Sequence, residues 1–262
     1  MNFHLSAQPF TRDQKIILCS IAVIVLLAWT VMFNDARGME HASPHMTMCS
    51  MPRVSFWSAA DFFPLFVMWS VMMVAMMLPS VTATALLFSK INRTRREQNN
   101  PFVSTWIFLS GYLLVWTGFS FLVSLLQLYL QTKSLLSCEM ILTHSSVAGI
   151  VLLCAGIFQF TPLKTACLSH CRSPFQFLMT DWREGKWGAL LMGLRHGIFC
   201  AGCCWALMLL LFVMGVMNFL WIAVLSVFVL LEKMSPKTLR VNCVWGILFI
   251  GWGTLIICRV IH

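Results

Sequence analysis

The sequence predicts an all-α, polytopic transmembrane helix bundle of about seven spans, folded as one domain over residues 1–262. Three observations carry that expectation. The chain is 59% hydrophobic and only 10% charged, with mean hydropathy +0.83, whereas a soluble domain carries about 25% charge and 45–50% apolar residues. Its apolar residues fall into runs long enough to cross a bilayer, which takes about 20 residues of helix. Its basic residues collect in the segments between those runs, so the net charge of +9 reads as a topology signal and nucleic acid is not an expected partner. The lipid bilayer is.

The expected spans are 16–33, 62–88, 102–130, 145–160, 188–213, 216–232 and 241–261. The first is followed by Asn34-Asp35-Ala36-Arg37 rather than by a small-residue cleavage site, so it is expected to be retained. The second carries the stretch MWSVMMVAMMLP. Residues four apart lie one above another on a helix, so Met68, Met72 and Met76 form one column, and Met73 and Met77 form a second beside it. Thioether sulfur is a soft ligand that suits Cu(I) and does not suit Mg, Ca or Mn. Methionine is also a flexible apolar filler, and a single pair would read as packing. Pro79 is expected to kink this helix.

The third span carries Trp106, Tyr112, Trp116 and Tyr129. Trp106 and Tyr129 suit interfacial anchoring, and no chemistry is expected of the span. The turn Gly215-Val216-Met217-Asn218 makes the fifth and sixth spans a tight antiparallel pair. Glu232 and Lys233 close the sixth span at a surface, where an ion pair or snorkelling suffices. The glycines of the seventh read as close packing.

Loop charges set the orientation. One side receives Arg12, Lys15, Lys90, Arg93, Arg95, Arg96, Lys164, Arg172, Arg183, Lys186, Lys233, Lys237 and Arg240. The other receives Arg37, Arg53, Lys133 and Arg259. The expected place is therefore a bacterial cytoplasmic (inner) membrane, with the N-terminus cytoplasmic.

The outer loop 34–58 presents His41, His45, Met46, Met48, Cys49 and Met51 with almost no bulky apolar residue between them. Methionine in a polar loop gains nothing from packing. Thioethers for Cu(I) and imidazoles for Cu(II) fit transient capture of copper. Cys49 and Cys138 share this side, which allows a disulfide without requiring one. Ser58 and Asp61 form a start signal for the Met-rich helix.

On the inner side, Cys167, His170 and Cys171 form C-x-x-H-C. On a helix all three share one face. Two thiols and an imidazole in a reducing compartment bind Cu(I) or zinc rather than oxidise to a disulfide. The fifth span places Met192, His196, Cys200 and Cys203 on one narrow stripe, flanked by Cys204. Arg195 and His196 inside a span are a functional signal by default. Gly193 and Gly197 form a G-x-x-x-G notch for another helix. Cys200 and Cys203 are spaced C-x-x-C, but on a membrane helix and outside any thioredoxin-like context.

These stretches resemble a bacterial family of predicted metal-binding integral membrane proteins, described as a domain of unknown function. The resemblance rests on Trp69 to Ser80, on Phe160 through Cys167 to Pro174, on Gly193 through His196 to Trp205, and on Gly215 to Lys233. It covers roughly Trp57 to Leu255 and implies membrane embedding and metal binding, without a reaction. The Met pairs are also similar, by analogy, to the Met-x3-Met pore motif of eukaryotic copper transporters.

The expected function is binding of a soft metal, copper as Cu(I), and its transfer or transport across the cytoplasmic membrane. One alternative is a membrane metallochaperone or assembly factor serving a copper enzyme, with a copper chaperone as a further partner. Another is a membrane thiol-redox enzyme. No nucleotide-binding motif is visible, and the leading reading is not an enzyme.

Overall fold

Each apolar run folds as helix. The computed structural model, which describes residues 11–41, 59–97, 103–137, 140–235 and 241–261, is all-α. In chain order its helices are α1 (Arg12–His41), α2 (Ala59–Glu97), α3 (Thr105–Thr132), α4 (Ser145–Phe158), α5 (Pro162–Arg172), α6 (Pro174–Thr180), α7 (Gly185–Leu209), α8 (Leu211–Met214), α9 (Phe219–Met234) and α10 (Val241–Ile261).

The span count is lower than expected. Among the described residues, five helices are long and apolar enough to cross a membrane, or six if the pair α4 and α5, bent by 63°, counts as one broken span. The sixth apolar run became α9, of 16 residues. At 1.5 Å per residue that is about 24 Å, short of a hydrocarbon core of about 30 Å.

Local chemistry sets several of the ends. The Ser104 hydroxyl accepts from the Trp106 amide at the start of α3. Thr161 caps α5 by accepting from the Lys164 amide, with Pro162 in the first turn, where a missing N–H costs nothing. Asn218 caps α9 by accepting from the Trp221 amide. The chain reverses after α8 at Gly215, whose φ of +98° favours glycine.

The core is centred on α2, whose Trp69, Met72, Met73, Met76, Met77, Val81 and Phe88 are buried. The helix continues through Pro79. Proline removes the donor that would have met the Ala75 carbonyl. Close by, the hydroxyls of Ser80 and Tyr112 both donate to the Met77 carbonyl, at 2.8 and 3.0 Å.

α3 and α7 touch backbone to backbone. A Cβ on Gly193 would strike the Phe108 carbonyl, and one on Gly111 would strike that of Leu190. The G-x-x-x-G notch thus has its partner in α3. α4 and α10 pair the same way, where a Cβ on Gly156 would come within 3.0 Å of the Gly246 carbonyl. One end of the bundle is tied by Arg95 to Glu184 at 2.7 Å and by Arg195 to Asp181.

Candidate functional site

On α7 the predicted stripe faces the interior: Met192, His196, Cys200 and Cys203 are buried, as is Cys204. Directly against it lies α5. Its half-buried Cys171 thiol reaches those of Cys200 and Cys203, and Cys167 packs over Gly202, where a Cβ would sit 3.0 Å from its Sγ. The inner C-x-x-H-C segment and the fifth-span stripe are therefore one locus and not two clusters at successive depths. His170 does not join the thiols. Its ring stacks on Phe199, centroids 4.1 Å apart, and its Nδ1 lies 2.9 Å from the Ala166 carbonyl.

Cys200 is the hub. Lys233, from α9, donates to Cys200 Sγ at 2.8 Å and to the Ser80 hydroxyl at 3.0 Å. The Tyr112 hydroxyl lies 3.1 Å from the same sulfur and 3.3 Å from Ser80 Oγ. The thiols of Cys203 and Cys204 donate to the Cys200 carbonyl, at 3.0 and 2.9 Å. α2, α3, α7 and α9 thus meet at one sulfur, with α5 beside it.

Two expectations need correction. Lys233 does not snorkel to a surface; it is 8% exposed and points inward, to Cys200 and Ser80. The third span is more than an anchor, since Tyr112 is fully buried with its hydroxyl at the hub. The sequence pattern pointed Lys233 the other way, since a Lys near the end of an apolar run usually snorkels to the interface. Nothing in the local pattern singled out Tyr112.

A second buried polar group holds α5 in place. Lys164 and Glu232, 0% and 1% exposed, form an ion pair at 2.7 Å. Lys164 also donates to the Gln159 carboxamide, and Arg172 donates to the Glu232 carbonyl at 2.9 Å. α5 is thereby fixed to α9, and Cys171 to Cys200.

His196 sits one turn from Cys200 among the rings of Phe108, Tyr112 and Phe177, at centroid distances of 6.1, 5.9 and 5.1 Å. Its Nδ1 is buried and has no hydrogen-bond partner among the described residues. Met72, Met73, Met76 and Met77 are each 2% exposed or less, whereas Met68 is half-buried. The side chain of His41 lies outside the described residues, as do His45, Met46, Met48, Cys49 and Met51, the pairing of Cys49 with Cys138, and the Ser58–Asp61 start signal.

Soft donors thus converge around Cys200. Among the described residues, no group of three or more His, Cys, Asp or Glu side chains is arranged as a metal site, and the Cys203 and Cys204 thiols turn to the Cys200 carbonyl. What the locus offers is exchange between neighbouring sulfurs, beside a cation that offsets thiolate charge.

No match was found among the curated proteins or the solved structures compared with this sequence. A family model does match, that of PpoB2, described as a copper chaperone, over residues 66–256. The match takes in the Met columns and every residue around Cys200, and leaves out the Met- and His-rich loop 34–58. Since it spans well over half of the sequence, the chain belongs to the PpoB2 copper chaperone family.

Proposed function

We propose that the protein holds Cu(I) as cargo inside the cytoplasmic membrane and hands it to a copper enzyme. The observation that carries this reading is the meeting of Cys171, from α5, with Cys200 and Cys203, from α7. Thiolates are soft and select Cu(I). A metal thiolate in a dry interior needs its negative charge offset, and the Lys233 ammonium, 2.8 Å from Cys200 Sγ, is placed to do that. Tyr112 supports the same sulfur by its hydroxyl.

Release follows from burial. Cys200 and Cys203 are sealed, whereas Cys167 and Cys171 are half-buried. An ion moving by ligand exchange from the sealed pair to the half-buried pair comes to the rim of the bundle, where an acceptor's sulfur can take it. This role needs binding and exchange, not catalysis. His196, Met192 and the buried methionines of α2 beyond the cleft, Met73, Met76 and Met77, would enclose the site as further soft donors.

Loop charge supports a cytoplasmic N-terminus. Of the thirteen basic residues assigned to the inner side, Lys164 and Lys233 lie in the interior, which leaves eleven against four. A reporter fused after Gln98 should report as cytoplasmic and one after Ser43 as extracytoplasmic; the opposite pair of signals overturns the orientation.

Transport is the second reading, favoured by the Met columns that run along α2 towards the hub. The two readings part in cells lacking the protein. If the protein is a chaperone, total cell copper should stay unchanged while activity of a membrane copper oxidase falls and is restored by added copper. A matching fall in total copper would instead support transport, and no change in either would remove the copper reading.

A further inference from the structure

A cleft of about 390 Å³ opens between α1, α2 and α9, at the end of the bundle opposite Arg95 and Glu184. In the proposed orientation this is the outer end. Four of its lining residues are methionines, Met32 from α1, Met68 and Met72 from α2, and Met217 from the turn before α9, and Asp35 stands among them. Sequence spacing paired Met68 with Met72 but could not bring Met32, Asp35 and Met217 to them, because these come from separate stretches of chain.

We infer that this cleft is a second, weaker Cu(I) site, the port through which the thiol hub is loaded. The inference rests on the copper reading above and adds where the ion first binds. Chemistry argues for this occupant. Thioethers are neutral, soft donors, suited to Cu(I) and poor for hard cations. Being uncharged, they release the ion more readily than thiolates do, which a receiving site needs. The Asp35 carboxylate supplies the negative charge that draws a cation to the opening. No Cys or His lines the cleft, so it does not compete with the hub for tight binding.

Continuity argues for it too. Met72 lines the cleft, and Met73, Met76 and Met77 continue along α2 in the buried interior. The Met77 carbonyl accepts from the Tyr112 hydroxyl, which touches Cys200 Sγ. From Met72 to Met77 the helix rises only about 7.5 Å. Methionines thus run from the opening to Met77, whose carbonyl is one hydroxyl away from the hub sulfur.

The test is a titration of purified full-length protein in nanodiscs with Cu(I) against a chromophoric chelator. Wild type should show two classes of bound ion, one tight and one weaker. The triple variant Met32→Leu/Met68→Leu/Met217→Leu should lose the weaker class and keep the tight one, with its thermal transition unchanged, since leucine conserves volume. Cys200→Ser should do the reverse. If the triple variant keeps both classes, or if wild type shows the tight class alone, the port is wrong and the hub stands. A lipid retained in the cleft with no weaker class of ion overturns the port in the same way. If wild type binds no Cu(I), both fall.

Discussion

Cys200→Ser should lower the affinity of the full-length protein for Cu(I) by about 100-fold or more. The figure follows from the cost of removing even an outer partner of a metal ligand, about 10–100-fold. Cys200 is the sulfur on which Lys233 and Tyr112 converge and which Cys171 reaches. A serine hydroxyl is hard and does not replace it for Cu(I). Lys233→Met should cost about 10–100-fold, because it leaves every sulfur in place and removes the charge that offsets the thiolate. Cys243→Ser should change nothing, since Cys243 lies on α10, outside the hub. Chelator competition reads all three variants. Unchanged affinity in Cys200→Ser would rule out the hub as the copper site.

Glu232→Ala should destabilise the protein by about 3–5 kcal/mol, the usual loss when one partner of a buried ion pair is removed and the other charge is left uncompensated. Lys164 is 0% exposed and has only Glu232 and Gln159 as partners among the described residues. The double variant Lys164→Met/Glu232→Leu should recover most of the loss, because well-packed apolar residues can replace a buried pair at little or no cost. Unfolding in mixed micelles gives the stabilities. The single variant should also weaken Cu(I) binding, since the ion pair ties α5 to α9 and so helps to seat Cys171 beside Cys200. A loss below about 1 kcal/mol, the scale of an exposed pair, would mean that water reaches the site and that α5 is held by something else.

Much of the fold was legible because it follows from composition and periodicity. The apolar runs became helices, and the notch at Gly193 and Gly197 found a neighbour in α3. The stripe from Met192 to Cys203 faces inward, as spacing alone dictates. The partner of that stripe was not legible. A periodic pattern shows that a face is special but not what meets it; α5 is brought to α7 by the bend after α4 and is tied to α9 by the buried Lys164–Glu232 pair. Lys233 departs from expectation for a related reason. Basic residues after an apolar run usually mark a surface, and this one lies instead on the face of α9 that meets Ser80 and Cys200. Within C-x-x-H-C, helical spacing put all three side chains on one face, but the nearby Phe199 ring took His170 out of the sulfur group. Met32 and Met217 carry no signal of their own, because neither belongs to a column of methionines like that of α2.

The most direct test of a copper site built from Cys171, Cys200 and Cys203 is the X-ray absorption spectrum of full-length protein loaded with one equivalent of Cu(I). Wild type should show a nearest shell of sulfur alone, and that spectrum should be lost when all three cysteines are replaced by serine. A shell of nitrogen or oxygen, or a sulfur shell that survives the triple substitution, would contradict the thiol hub.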